Sequence, residues 1–249
     1  MAFIDQAKMA QPAPTLERKP RMIMSSEGLE GSGKTDFALR GTPRPLTLLD
    51  FDYGAEGIGG GDPKLIEGVT RKTYNLMGAF GDDDPAIQRH IAEVMKRFVA
   101  DWREAVDTKV RTLVVDTFTA AWSGQRVARN DDRYVEYEEE FKSLVRMAYA
   151  SPHTNLVLVH HLKPDWKRDT AGKSYKAGTY SRDAMDGVMT MVQLGIRHRY
   201  VPPSPASPGK FEIDVLKCRD NVSLVGQTYS DVDFQTLCSI ACPSIDWSA

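Results

Sequence analysis

The sequence has few cysteines, almost no net charge and no long apolar runs. Three cysteines among 249 residues, a small and odd number, argue against the disulfide framework of a secreted protein. Cys238 and Cys242 could ligate zinc, but one pair without a nearby histidine leaves a tetrahedral site incomplete. The 32 basic and 34 acidic residues nearly cancel, so any site for a polyanion has to be a local patch.

The composition is that of a soluble globular protein. Apolar residues make up 41% of the chain and charged residues 27%, and a chain of this length can bury a sizeable core. No apolar run approaches the ~20 residues that span a bilayer, and the N-terminus has no signal-peptide core, so we expect a cytoplasmic protein without a membrane partner. We divide the chain into a flexible N-terminal arm at residues 1–20, one domain at 21–237 and a C-terminal tail at 238–249.

Short apolar runs alternate with helical patterns along the domain. Four runs are typical of buried strands: residues 22–24, 46–49, 113–115 and 156–159. A helical pattern follows the first run, another begins at Pro85 after a capping Asp84, and a third includes Phe141. Residues 188–200 and 211–216 predict two late strands joined by a proline-rich turn. The pattern predicts an α/β fold, with a mostly parallel central sheet, helices on both faces and a late antiparallel hairpin.

One motif at the end of the first run carries a specific chemistry. Residues 28–35 read GLEGSGKT and match G-x-x-x-x-G-K-[ST] without deviation, between a predicted strand and a predicted helix. The glycines let backbone N–H groups converge on phosphates, Lys34 adds a positive charge, and Thr35 adds a hydroxyl ligand for magnesium. We therefore predict a site for ATP and Mg²⁺ with these nucleotide-binding residues: Gly28, Glu30, Gly31, Ser32, Gly33, Lys34, Thr35 and Asp36.

Acidic residues follow the second and third apolar runs. Ligands of such sheets lie beyond the carboxyl ends of the strands, so these residues are expected near the phosphate loop. Asp116 is the predicted magnesium ligand that accompanies Thr35. Hydrolysis also needs a group that orients the attacking water, for which Asp52 is the first candidate and Glu56 the second. Asp50 lies nearer the strand and is expected to be structural.

Taken in order, five segments resemble the RecA-type branch of P-loop ATPases. They are residues 19–24 leading into the phosphate loop, Leu49–Asp52, Val115–Thr119, Leu158–His161 and Lys217–Arg219. More narrowly, the chain resembles phage-encoded RecA-like nucleotide-binding proteins, some of which are single-strand annealing recombinases, over about residues 18–237. If a phage encodes the protein, the resemblance implies that it acts in the cytoplasm of the infected host.

The resemblance also implies roles for single residues. Asp52 would be the catalytic carboxylate, where relatives more usually carry Glu, and His161 would sense the γ-phosphate where many carry Gln. The alternative is that His160 and His161 are hydrogen-bonded side chains at a strand end. Lys217 and Arg219 resemble the K-x-R element that reaches a neighbouring subunit's γ-phosphate. This resemblance implies a homo-oligomer, either a ring or a filament. The alternative is that the two residues only form a solvated strand end. The predicted catalytic residues are Lys34, Asp52, Glu56, Asp116, His161, Lys217 and Arg219.

Residues 163–182 form a basic segment with six cationic and two acidic side chains. Trp166, Tyr175 and Tyr180 are interleaved, and cations that follow phosphates beside aromatics that stack on bases are typical of a single-strand site. The position of the segment matches the DNA-binding loop of RecA-like proteins, whereas the alternative is a solvated loop that keeps the protein soluble. The predicted nucleic-acid residues are Lys163, Lys167, Arg168, Lys173, Tyr175, Lys176 and Tyr180.

The sequence leaves four functions open. The leading one is an ATPase that acts on single-stranded DNA in recombination, annealing or repair, with a single-strand-binding protein as a further candidate partner. The others are a helicase-like or loader motor, a small-molecule kinase, and a regulator that binds nucleotide but barely hydrolyses it. A kinase of this type usually has an acceptor pocket and an arginine-rich lid, and the basic segment holds only Arg168 and Arg182.

Overall fold

The computed structural model describes most of the predicted domain. Its described residues are 20–56, 63–76, 85–129, 134–170, 172–205 and 207–247. All but the last residue of the predicted N-terminal arm and the predicted capping Asp84 lie outside these ranges.

Strands alternate with helices along the described chain. The strands are β1 (Ile23–Gly28), β2 (Leu46–Asp50), β3 (Val69–Thr73), β4 (Thr112–Asp116), β5 (Asn155–Arg168), β6 (Ser174–Arg182), β7 (Leu194–Val201), β8 (Lys210–Cys218) and β9 (Thr228–Ser230). The helices are α1 (Lys34–Leu39), α2 (Pro85–Asp107), α3 (Phe118–Ala128), α4 (Tyr134–Ala150), α5 (Val188–Met191) and α6 (Phe234–Ala241). Short 3₁₀ turns occur at Pro63–Leu65 and Val222–Leu224.

The strands form one sheet in the order β3-β2-β4-β5-β1-β7-β8-β9. The pairs from β3 as far as β7 are all parallel, whereas β8 and β9 are antiparallel to their neighbours. The remaining strand, β6, pairs antiparallel with the far half of β5. The predicted α/β fold, with a mostly parallel sheet and a late antiparallel hairpin formed by β7 and β8, is therefore confirmed.

Helices cover both faces of the sheet, as predicted. Side chains alternate between the faces along a strand, so Ile23 and Val115 pack in the cluster with α2, α3 and α4. Met24 and Val114 pack in the opposite cluster, with α1 and α6. The apolar stripe of α2 is buried at Ile91, Val94, Met95, Phe98, Val99, Trp102 and Val106.

The basic segment is a β-hairpin and not a loop. β5 runs for 14 residues to Arg168, well past the predicted end of its apolar run at Val159. Its polar half is ordered by pairing with β6, with register partners from Leu162 opposite Arg182 to Arg168 opposite Ser174. The described residues of the basic segment thus continue β5 and return along β6, a pairing that polarity alone did not predict.

The predicted strand at 188–200 begins with a helical turn, α5. Val188 and Val192 are both buried in the core, and their spacing of four residues suits one helical turn. The strand itself, β7, starts only at Leu194.

The predicted boundary at residue 237 falls inside α6. Cys238, Cys242 and Trp247 are buried with the apolar cluster under the sheet, so residues 238–247 belong to the domain and not to a separate tail. All three cysteines are buried and none is in a disulfide. In the described part of the chain, no helix is long and apolar enough to cross a membrane.

Candidate nucleotide-binding site

The phosphate loop connects the end of β1 to the start of α1, and its glycines are required by its shape. Gly31 and Gly33 have φ angles of 71° and 87°, in the left-handed region that favours glycine. A Cβ atom on Gly28 would lie 2.4 Å from Ser32 Oγ and 2.9 Å from the His198 carbonyl oxygen. Side chains at these positions would therefore distort the loop that presents backbone N–H groups to an anion.

Lys34 lies inside a cavity of about 400 Å³ at the carboxyl ends of the parallel strands. Its side chain is buried, and Nζ donates a hydrogen bond to the Leu29 carbonyl oxygen at 2.7 Å. Burial lowers the pKa of Lys34, while the nearby carboxylates of Asp116 and Asp52 oppose that effect. The predicted nucleotide-binding residues Glu30, Gly31, Ser32, Gly33, Lys34, Thr35 and Asp36 all line this cavity, and Gly28 shapes its loop from beneath.

Thr35 and Asp116 meet at the floor of the cavity. The Thr35 hydroxyl donates to Asp116 Oδ2 at 2.6 Å. Burial raises the pKa of Asp116 to about 6, against the opposing effect of that hydrogen bond. A hydroxyl and a carboxylate side by side are the oxygen ligands that Mg²⁺ prefers. Among the described residues no group of three or more His, Cys, Asp or Glu could hold a metal, so a magnesium ion would need phosphate and water ligands as well.

The structure separates the two candidates for orienting water. Asp52 lines the cavity, and its Oδ2 lies 2.9 Å from His161 Nε2. That hydrogen bond is the main cause of the lowered pKa of Asp52. Glu56 is 62% exposed in its side chain and pairs with Arg71 at 3.4 Å, away from the cavity lining. Asp50 is buried, binds Arg71 and accepts the Asp52 N–H at 3.1 Å, which is a structural role.

The two adjacent histidines have different environments. His161 lines the cavity, and its backbone N–H donates to Thr119 Oγ1 at 3.0 Å. His160 points to the other face of β5, fully buried against the Phe118 ring at 5.4 Å. Neither ring nitrogen of His160 has a hydrogen-bond partner within the described residues, and burial lowers its pKa far below the usual range. Of the two histidines, only His161 lines the cavity.

Lys217 and Arg219 lie at the opposite end of the sheet from the phosphate loop. Lys217 pairs in register with Gly195, near the amino end of β7. The Lys217 ammonium donates to the Met189 carbonyl oxygen, and the Arg219 guanidinium donates to that of Thr190. Neither side chain reaches the phosphate loop of its own chain, so a role at a phosphate requires the loop of another subunit.

The hairpin of β5 and β6 displays aromatic and basic side chains together. Trp166, Tyr175 and Tyr180 are 61%, 48% and 44% exposed. The Lys176 ammonium lies 5.9 Å from the centroid of the Trp166 ring, on the strand directly opposite. Lys163 differs from the other predicted cations, because it pairs with Asp183 at 3.0 Å. Lys167, Arg168 and Lys173 lie along the same hairpin or its turn.

Two residues near the loop had no signal in the sequence. Phe211 of β8 lines the phosphate cavity, although it is far from the motif along the chain. Glu27, buried directly before Gly28, accepts from Arg197 Nε at 2.7 Å with one carboxylate oxygen, and the other contacts the Arg182 guanidinium. Glu27 follows two serines in β1, whose sequence is IMSSEG, and neither arginine could be assigned to it from local pattern.

Comparisons with known proteins identify a family. A sequence model described as an AAA domain matches residues 21–206. A KaiC-like protein from the hyperthermophilic archaeon Pyrococcus horikoshii OT3 has a similar structure, with a TM-score of 0.47, 11% identity and 84% of each chain covered. A similarity at this level carries no argument about activity. No curated protein matches the chain.

Proposed function

Because the chain belongs to the AAA domain family, whose sequence model matches residues 21–206, we propose that it binds ATP with magnesium and hydrolyses it. The observation that carries this proposal is the 2.6 Å contact between the Thr35 hydroxyl and Asp116, formed beside the buried Lys34. A cation and a magnesium-type ligand pair share one cavity with the glycine-rich loop. That combination suits a triphosphate and its metal.

The chain's own residues fit such a ligand. Thr35 and Asp116 would hold magnesium, which neutralises charge on the phosphates when bound. The Ser32 hydroxyl is buried and has no hydrogen-bond partner among the described residues, so it can donate to a phosphate oxygen. Lys34 would exchange its bond to the Leu29 carbonyl for a bond to a phosphate oxygen, in which donor and acceptor are both charged.

Asp52 is the group that we assign to the attacking water. Asp52 is ionised at neutral pH and can accept a hydrogen bond from the attacking water, which orients the water; because its pKa is lowered, it is a weak base. His161 holds the carboxylate in place through its Nε2 atom, at 2.9 Å. Because His161 is also part of β5, a shift of Asp52 toward a phosphate or water would displace His161 and the part of β5 that leads into the hairpin.

We further propose that the hairpin of β5 and β6 binds single-stranded DNA, in recombination, annealing or repair. Support comes from the exposed rings of Trp166, Tyr175 and Tyr180, since base stacking on such rings is worth roughly 1–3 kcal/mol per base. Support also comes from Lys176, whose ammonium lies near the Trp166 ring and can reach a phosphate beside a stacked base. The strand that carries His161 continues directly into this surface, which provides a path between ATP and DNA.

A homo-oligomer completes the proposal. Lys217 and Arg219 lie at the sheet end opposite to the phosphate loop, so a copy stacked in a ring or filament could present them to a neighbouring nucleotide. Arginines supplied across an interface stabilise charge on a transferred phosphoryl group. On this account, an isolated subunit hydrolyses ATP slowly.

The ATPase rate with and without single-stranded DNA tests the proposed function. We expect DNA to raise the rate, and Tyr175→Ala or Lys176→Ala to weaken DNA affinity while the rate without DNA is retained. Lys96→Ala is the matched control, because Lys96 is an exposed lysine on α2 that pairs with Glu93. DNA affinity that is equal in Lys176→Ala, Tyr175→Ala and the control would reject the assignment of the hairpin.

One observation favours a second candidate, a small-molecule kinase. A cleft of about 660 Å³ lies beside the phosphate loop, between the hairpin and β7. Glu30 and Ser32 line both this cleft and the phosphate cavity, so a molecule in the cleft would lie close to the terminal phosphate. Tyr180 and Tyr200 provide aromatic walls for it. A phosphorylated small molecule formed from ATP in the absence of DNA would support the kinase over the DNA-dependent ATPase.

A further inference from the structure

A second cavity adjoins the phosphate cavity along α1. It measures about 350 Å³ and lies between α1, β8 and the turn that follows β9. Gly33, Asp36 and Phe211 line both cavities, so the two form one continuous surface. A nucleoside triphosphate that binds its phosphates on the loop must place its ribose and base next to that loop.

The Phe211 ring is the exposed aromatic wall of this surface. It is 43% exposed and packs so closely on the loop that a Cβ atom on Gly33 would lie 2.9 Å from its Cδ1 atom. The absence of a side chain at Gly33 therefore lets the ring approach the place where phosphates bind. Because the ring is partly exposed and lines both cavities, a planar group in the second cavity could contact it.

Phe211 is held in place from two sides. Its backbone N–H donates to Asp231 Oδ1 at 3.2 Å, and the Asp231 N–H donates to the Phe211 carbonyl oxygen at 3.0 Å. The Tyr200 ring packs beside it with 5.1 Å between the ring centroids. An aromatic side chain fixed in this way loses little conformational entropy when a ligand stacks on it.

The charges around the second cavity suit a neutral ring and not a phosphate. Asp36 and Arg40 form an ion pair at 2.9 Å, and Asp231 adds a second carboxylate, so the rim carries one net negative charge. The cavity floor is formed by Phe37 and His198, whose rings lie 5.0 Å apart. Burial lowers the pKa of His198 to about 3, so the floor is uncharged at neutral pH.

From this geometry we infer that Phe211 is the stacking platform for the base of the bound nucleotide, in the cavity between α1 and β8. The inference rests on the nucleotide-binding function proposed above, and it adds the position and the chemistry of the base subsite. The rim pair of Asp36 and Arg40 supplies both acceptors and donors for the polar edge of the base.

Binding of MgATP and of magnesium tripolyphosphate, measured by calorimetry, separates the base from the phosphates. Phe211→Ala should weaken MgATP binding by about tenfold or more, the loss typical of one base–aromatic stack, and leave tripolyphosphate affinity within about twofold. Phe211→Tyr should retain MgATP affinity, whereas Phe211→Leu, which keeps an apolar side chain without a flat face, should lose most of it. Phe211→Trp should show a fluorescence change with MgATP that tripolyphosphate does not cause.

Each other outcome overturns the inference in a recognisable way. Equal loss of MgATP and tripolyphosphate in Phe211→Ala would mean that the ring only supports the phosphate loop through Gly33. Unchanged MgATP affinity in that variant would place the base elsewhere. If the wild-type protein bound neither ligand, the proposed nucleotide-binding function itself would fail, and that result is distinct from both of the others.

Discussion

Replacing Asp116 by asparagine is expected to stabilise the nucleotide-free protein while removing the proposed magnesium-dependent hydrolysis of ATP. The Asp116 carboxylate is buried, and that burial raises its pKa from 3.8 to about 6. Since a tenfold change in acid dissociation corresponds to about 1.4 kcal/mol, holding this group ionised at pH 7 costs the fold about 3 kcal/mol. Asparagine keeps an oxygen for the Thr35 hydroxyl and carries no charge into the core.

The expected gain at pH 7 is therefore about 2–3 kcal/mol in the free energy of unfolding, measured by urea denaturation without nucleotide. For a domain of this size, it corresponds to a rise in Tm of roughly 5–10 °C. The same variant should lose magnesium-dependent hydrolysis, because the predicted metal ligand is gone. The Asp116 carboxylate would thus lower the stability of the protein while the proposed hydrolysis requires it.

The stability difference between Asp116→Asn and the wild type should depend on pH in a definite direction. Between about pH 4 and pH 6 the folded wild type holds a proton on Asp116 that the unfolded chain has lost, so its stability falls as the pH rises through that window. The advantage of Asp116→Asn should be full at pH 7 and shrink as the pH falls toward 4. A variant that is no more stable than the wild type at pH 7, or a difference independent of pH, would refute the reasoning.

Two further predictions concern carboxylates on either side of the phosphate loop. Asp52→Asn should lower kcat for ATP hydrolysis by about 10²–10⁴, the range for general acid–base groups, with little change in ATP affinity, whereas Glu56→Gln should leave kcat unchanged. Steady-state kinetics would measure kcat and calorimetry would measure the affinity. An unchanged kcat in Asp52→Asn would contradict the prediction. Glu27→Gln should lower the free energy of unfolding, measured in urea, by about 2–3 kcal/mol. The loss is less than for a fully buried pair, because the side chains of Arg197 and Arg182 are 37% and 17% exposed. If Glu27→Gln and Glu56→Gln had equal free energies of unfolding, the ion pairs of Glu27 with Arg182 and Arg197 would contribute nothing to stability.

The central strands of the fold could be predicted from sequence because both of their faces are buried. β2 and β4 are buried along their whole length, and such strands read as continuous apolar runs. The edge strand β3, with sequence VTRKT, has exposed residues and gave no such signal. The polar half of β5 was missed for a similar reason, since its order comes from pairing with β6.

Part of the candidate site could be predicted from the sequence because its residues follow the ends of strands. Asp52, Asp116 and His161 are brought to one cavity because β2, β4 and β5 are adjacent parallel strands on one side of β1. This convergence is a general property of such sheets, so it could be expected before the structure was known. The roles given to these residues stay predictions until they are measured.

Phe211 and Glu27 could not be placed in the same way. Phe211 reaches the phosphate loop only because β8 folds back antiparallel beside β7. Glu27 and Arg197 are 170 residues apart, and their pairing follows from the register of β1 with β7. Neither contact has a local pattern, so both depend on the tertiary arrangement of the sheet.

Calorimetric titration with MgATP tests the central claim most directly, since every later step depends on a triphosphate held by the phosphate loop. The account predicts saturable binding by the wild-type protein. It predicts no binding by Lys34→Ala, because the ammonium that this substitution removes lies within the cavity. Absence of binding by the wild type, or equal binding by Lys34→Ala, would contradict it.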